Sequence, residues 1–161
     1  MIEIDKGLYI GTLNDLNKFS LVDDAIVHAT QTIHYQIMGW DRKYNKPPKD
    51  HPNYIVWEKE NRLSLNWVDG AAYLYKWSGP ATFIKVMNFI DKWIPSRKVF
   101  IHCDQGFSRS PTLGLLFLAK RRKIIPGDSF ISAKIKFQEI YPYYQAMGIA
   151  DYVNQHWDEI N

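Results

Sequence analysis

Lys98-Val99-Phe100-Ile101-His102-Cys103-Asp104-Gln105-Gly106-Phe107-Ser108-Arg109-Ser110-Pro111 runs from an apolar segment into a strongly helical one and contains the only cysteine in the chain. Lys98 to Ile101 reads as a short buried strand. Pro111 to Lys120 reads as a helix with proline near its first position, where a missing N–H costs nothing. The stretch from Cys103 to Arg109 is then the connecting loop. A loop entering a helix N-terminus aims unpaired N–H groups at one point, and the helix dipole adds positive potential there. Such a loop cradles an oxyanion. Five residues, 104 to 108, separate Cys103 from Arg109, enough for the chain to curl so that the sulfur faces the cradle and the guanidinium closes over it. Arginine can hold two phosphate oxygens in parallel.

The 161 residues are 46% hydrophobic, enough for one well-buried core and too few for two ordinary domains. One domain spanning residues 1–161 is expected. No apolar run approaches the roughly 20 residues needed to span a bilayer, and Met1-Ile2-Glu3-Ile4-Asp5 lacks the layout of a signal peptide. The reading is a cytoplasmic protein. A lone cysteine has no internal disulfide partner, which fits a reducing compartment. The net charge of +3 is modest, and the basic run Lys120 to Lys123 reads as a solvated helix end complementing the dipole. No nucleic-acid partner is expected. The aromatic residues do not alternate with basic ones along a strand, so they read as core or groove lining.

Along the chain, Leu8-Tyr9-Ile10-Gly11 and Ala25 to Ala29 read as strands, and Asn14-Asp15 as a polar helical start. Tyr54 to Trp57 and Arg62 to Leu65 read as strands separated by a charged turn, Glu58-Lys59-Glu60-Asn61. Between Asp41 and Asn53 the sequence is polar and carries Pro47, Pro48 and Pro52, which predicts a surface loop. Phe83, Val86, Met87, Ile90 and Ile94 mark an amphipathic helix ending before Pro95. The Pro111 helix is apolar on nearly every side and is expected at the centre. Gly127-Asp128 is read as the cap of a helix through Phe137 that Pro142 breaks, and Gly148 precedes a last short helix. Strands early and helices late predict a mixed α/β layer fold.

The chemistry follows from the cradle. Cysteine attacks as the thiolate, which a helix N-terminus and a nearby cation favour. Both flank Cys103. A ring of N–H donors plus one guanidinium matches a tetrahedral phosphate monoester, and attack at phosphorus gives a phosphocysteine intermediate. Arg109 would hold the equatorial oxygens. No metal or cofactor is required. The leaving oxygen needs a proton, and Asp69, at the end of the strand-like segment Asn66-Trp67-Val68 and followed by Gly70, is the candidate acid. Asp104 lies within the cradle, where it would oppose a phosphate, and is placed at the solvent-facing rim. Ser110 is read either as a donor to the sulfur or as a helix N-cap. His102 is expected to order the loop rather than act as the base. Tyr73, Tyr75 and Trp77, after the acid, either line the pocket or pack beneath the acid loop.

His102-Cys103-x5-Arg109-Ser110, with Gly106 between, resembles the signature of the cysteine-dependent protein tyrosine phosphatases, and the stretch through Leu113 is most similar to the small dual-specificity members. Leu8 to Gly11 resembles that family's opening strand. Asp69 lies 34 residues before Cys103 (103 minus 69), near the usual separation of the family's acid. The resemblance implies a central, mostly parallel sheet flanked by helices. It implies Cys103 as nucleophile and Asp69 as general acid, with Ser110 assisting breakdown of the intermediate. Arg109 and loop residues Asp104, Gln105, Gly106, Phe107 and Ser108 would bind phosphate. The substrate class implied is phosphotyrosine, with phosphoserine or phosphothreonine, in proteins. The alternatives weighed are a catalytically quiet phosphoprotein-binding module and a phosphatase for phospholipids or RNA 5′ ends. An acid at position 104 argues against highly anionic substrates.

Overall fold

The computed structural model describes residues 1–161. Six strands, β1 (Ile2–Asp5), β2 (Leu8–Thr12), β3 (Ala25–His28), β4 (Val56–Lys59), β5 (Arg62–Leu65) and β6 (Val99–Cys103), form one sheet in the order β1-β2-β6-β3-β5-β4. The four inner strands are parallel and the two edge strands antiparallel to their neighbours. Parallel strands are covered on both faces and so demand near-continuous apolar runs. Every residue of β3 and β6 is buried. The exposed edge strand β4 instead carries Glu58 and Lys59, charges that discourage pairing with another chain.

Five helices flank the sheet: α1 (Gln31–Met38), α2 (Gly79–Trp93), α3 (Arg109–Phe117), α4 (Phe130–Ile140) and α5 (Gly148–Gln155). α1 packs against β5, α2 against β3, and α3 against β6 and β2. α3 is buried at all of its positions, as its all-round apolar sequence demands. Thr12 pairs with Cys103 and His28 with His102 in the ladder. The carboxyl ends of three parallel strands therefore lie level, the edge at which open α/β sheets bind ligands.

Several local expectations change. β1 and α1 are additional elements. Glu58 and Lys59 belong to β4, so the turn is Glu60-Asn61 alone. No strand forms over residues 66 to 72, and Asp69 lies on the loop after β5. α4 is capped by Ser129, whose hydroxyl accepts from the Ser132 amide, rather than by Gly127-Asp128. Three of the four residues of the basic run are partnered, and only Lys123 is solvated as expected. Lys120 donates to the Trp157 carbonyl, Arg121 pairs with Asp91 and Arg122 with Asp5. These contacts hold a π-helical turn, Leu118–Arg122, that ends with Lys123 left-handed at φ +56°.

α5 begins at Gly148, and this start sets the position of the loop carrying Asp69. A β-carbon at Gly148 would sit 1.8 Å from the Gly70 carbonyl oxygen and 2.8 Å from the Ala71 carbonyl carbon. Both neighbours are backbone, so one segment must move. Alanine forms helix better than glycine, yet Gly148→Ala is expected to lower stability by about 1–3 kcal/mol through overpacking. Denaturant unfolding measures this; an unchanged midpoint would contradict so close an approach.

Candidate active site

The loop from Asp104 to Ser108 bends between the end of β6 and the start of α3. Its carbonyls are tied outward. The Asp104 carbonyl accepts from the Leu13 amide at 3.2 Å, the Gly106 carbonyl from the Tyr141 hydroxyl at 2.7 Å, and the Phe107 carbonyl from the Gln145 amide at 2.7 Å. In a trans peptide the N–H points opposite to the C=O. The amides of Gln105, Phe107 and Ser108 consequently face the loop's interior. Gly106 makes the bend at φ +71°, and a β-carbon there would crowd the Gly11 carbonyl, the Tyr141 hydroxyl and Thr12. Burial, with a smaller contribution from Cys103, pushes the Tyr141 phenol above its ordinary range, so it stays a donor.

Cys103 is 1% exposed at the base of this loop. Its Sγ lies 3.2 Å from the Ser110 hydroxyl, which also reaches the Gly11 carbonyl at 3.3 Å. α3 begins at Arg109 with Ser108 as its N-cap residue, so Ser110 is inside the first turn and free of the capping role. The Ser108 hydroxyl is buried without a partner. Phe107 is partly exposed, and Gln105 lines the adjoining cleft.

Arg109 is 3% exposed, and each of its three guanidinium nitrogens donates a hydrogen bond. Nη1 donates to the Trp67 carbonyl at 2.9 Å, while Nε and Nη2 donate to the two Asp69 carboxylate oxygens at 3.1 and 3.2 Å. A buried cation needs a paired anion. Here the candidate acid fills that place, in the two-oxygen geometry a phosphate would adopt. The Asp69 loop is held by the Tyr75 hydroxyl donating to the Val68 carbonyl and by Trp67 Nε1 donating to Ser78 Oγ, each at 2.8 Å. Tyr75 thus packs beneath the acid loop, whereas Tyr73 and Trp77 are exposed.

Asp104 is not a free charge at the rim. Its Oδ1 accepts from the Thr30 hydroxyl at 2.7 Å and its Oδ2 lies 3.6 Å from Arg109 Nη2. Part of its charge is spent on Arg109, which weakens the argument it made against anionic substrates. Thr30, Gln31, Arg42, Asp69, Asp104 and Arg109 line a cleft of about 250 Å³.

Behind Cys103 runs a chain of hydrogen-bonded side chains that spacing did not reveal. Arg62 Nε and Nη2 donate to His28 Nε2 at 3.1 and 3.0 Å. Arginine only donates, so the His28 proton sits on Nδ1, which lies 2.6 Å from His102 Nε2. The His102 proton is then on Nδ1, directed at the Cys103 carbonyl 3.4 Å away. His102 therefore orders the loop, with His28 and Arg62 behind it. The available signal was the pair of apolar runs Ile26-Val27-His28 and Phe100-Ile101-His102, which end alike.

No protein-family model matches the sequence, and no curated protein matches it. Solved structures do. A leucine-rich-repeat and phosphatase-domain protein from Entamoeba histolytica superposes with a TM-score of 0.63 at 16% identity, covering 98% of this chain and 90% of that one. Tk-PTP in its active form gives 0.62 at 20% identity over 98% and 95%. The chain has the dual-specificity phosphatase fold. PTPMT1 in complex with PI(5)P shares it, with a TM-score of 0.60 at 16% identity over 98% and 94%. The phosphatase fold accounts for the mostly parallel sheet expected from sequence, with the cysteine loop at its carboxyl edge.

Burial foremost, then the neighbouring His102 and the Arg62 charge, holds His28 down to about 2, and burial foremost holds His102 down to about 4. Both rings are neutral in the fold, while the unfolded chain protonates each near pH ~6.5. Their stabilising contacts are therefore fully expressed above about pH 6.5 and weaken as pH falls, by about 1 kcal/mol per pH unit for each ring. For His102 the loss ends near pH 4; for His28 it continues below that. His28→Asn is expected to be less stable at pH 7 but to lose less stability than the wild type between pH 7 and pH 5. Equal losses in denaturant unfolding would refute this.

Proposed function

We propose that the protein is a phosphatase that hydrolyses phosphotyrosine, with phosphoserine or phosphothreonine, in proteins through a phosphocysteine intermediate. The observation that carries the reading is the buried Cys103 Sγ under inward-facing amides, beside an Arg109 guanidinium held two-oxygen fashion by a carboxylate. Substrate phosphate replaces that carboxylate on Arg109 and frees Asp69. The Cys103 thiolate attacks phosphorus, the P–O ester bond breaks, and the leaving oxygen takes a proton from the acid form of Asp69. Water then attacks phosphorus, giving its proton to the Asp69 carboxylate, and the P–S bond breaks. The Ser110 hydroxyl, 3.2 Å from the sulfur, donates to the departing thiolate. Arg109 and the loop amides hold the phosphoryl oxygens throughout.

Cys103→Ser is expected to abolish turnover of an aryl phosphate while inorganic phosphate still binds; undiminished turnover would overturn the proposal. Asp69→Ala separates two effects of one residue. Turnover of a phosphoserine peptide, whose leaving oxygen needs the proton, should fall by about 10²–10⁴. Inorganic phosphate should bind more tightly, because the carboxylate that holds Arg109 through two oxygens no longer competes with it. Calorimetric titration alongside kinetics reads both, and weaker phosphate binding in Asp69→Ala would remove the competition from the scheme.

A further inference from the structure

The loop from Asp41 to Asn53, which the phosphoryl chemistry leaves unused, has a built shape. Asp41 Oδ1 accepts from the backbone amides of Lys43, Tyr44 and Asn45. Trp40 lies among the rings of His34, Tyr35, His51 and Tyr54. The buried His34 anchors the far end, with Nε2 donating to the Asn53 carbonyl and Nδ1 accepting from Ser64, each at 2.9 Å. The loop presents Arg42, Lys43, Lys46 and Lys49, none of which is ion-paired to a carboxylate. Arg42 donates to the Gln31 side chain, and Lys49 lies over the Trp77 ring at 5.8 Å.

These cations stand beside the cradle. Arg42, Gln31 and Val68 line the cleft that contains Asp69, Asp104 and Arg109, and the same three line a neighbouring hollow of about 390 Å³ with Lys46 and Lys49. Lys49 and Tyr54 continue into a third hollow, walled by Tyr73 and Trp77. The three hollows adjoin through shared walls and lead from the nucleophile loop to a basic shelf backed by aromatic rings. Next to the cradle the carboxylates are committed to Arg109, and the charged residues that line the two hollows farther along, Arg42, Lys46 and Lys49, are all basic.

Resting on the phosphatase reading, we infer that this shelf is a specificity site for the acidic side chains flanking the phosphorylated residue of a protein substrate. The nucleophile loop itself, Asp104 to Ser108, has no lysine or arginine. A second anion directly attached to the first, as in a polyphosphate, finds no cation there, whereas an extended peptide advances roughly 3.3 Å per residue and brings an aspartate or glutamate a few positions away onto Lys46 and Lys49. The exposed rings of Tyr73 and Trp77 offer apolar contact to side chains between those charges.

The test compares two phosphotyrosine peptides that differ only in flanking Asp and Glu replaced by Asn and Gln, with a small aryl phosphate as reference. The wild type should favour the acidic peptide in kcat/KM by on the order of tenfold, through KM, and the preference should shrink with added salt. A Lys46→Glu/Lys49→Glu variant should lose it while hydrolysing the aryl phosphate at the wild-type rate. Equal rates on the two peptides, or a preference that survives in the variant, would overturn the inference. So would a variant defect confined to 5′-phosphorylated RNA or to phosphoinositide vesicles, which would assign the shelf to those ligands. No turnover of the aryl phosphate by the wild type would instead overturn the phosphatase reading itself.

Discussion

A guanidinium with almost no solvent must be given anions and acceptors by the protein, and Arg109 receives Asp69 and the Trp67 carbonyl from a loop about 40 residues earlier in the chain. That requirement fixes much else. It draws the loop after β5 over the start of α3, which in turn needs Tyr75 beneath Val68 and a glycine at the start of α5 where two backbones meet. The desolvation cost of burying the cation is offset only while a well-placed anion is present. An arginine satisfied in this way is held in position by the protein itself, and under the proposed function an incoming phosphate would meet a site already shaped for two oxygens.

The two edges of the loop from Cys103 to Arg109 are secured by different means. Outside, three carbonyls are bonded by Leu13, in the 3-10 turn Leu13–Lys18 after β2, and by Tyr141 and Gln145 in the connection between α4 and α5. Inside the sheet, the chain Arg62, His28, His102 runs across adjacent strands to the Cys103 carbonyl. Because both histidines are kept neutral, the direction of the proton donors is set by Arg62 at one end, and the orientation of the last peptide before the loop follows from a residue on another strand.

Local patterns made part of this legible. The apolar run before Cys103, the three- and four-residue spacing from Phe83 to Ile94, and the Cys103 to Arg109 interval each encode their structure within a short window, and each corresponds to an observed element or loop. α1 left a weaker trace, since only Ile33 and His34 of its eight residues are buried; its signal lay in the brackets, a capping Thr30 and a left-handed Gly39. The helix that begins at Arg109 rather than Pro111 shows how a residue shared by loop and helix escapes periodicity. Contacts between distant segments escaped altogether. Nothing near Asp69 indicates that its carboxylate faces Arg109, and nothing near His28 indicates a ring 74 residues away. The basic run after α3 looked like a solvated end because its partners, Asp5, Asp91 and the Trp157 carbonyl, come from other parts of the chain.

The bonds from Tyr141 and Gln145 to the nucleophile loop bear on how the motif should be regarded as a unit. The shape of Cys103 through Arg109 is not carried by those residues alone, because two of the three bonds that hold its carbonyls outward come from a side chain and a backbone amide nearly forty residues downstream. A fragment ending before residue 141 would retain the complete signature and lack the scaffold that bends it. Two proteins can therefore share these seven residues and differ in whether they close around an anion, according to what their last quarter supplies.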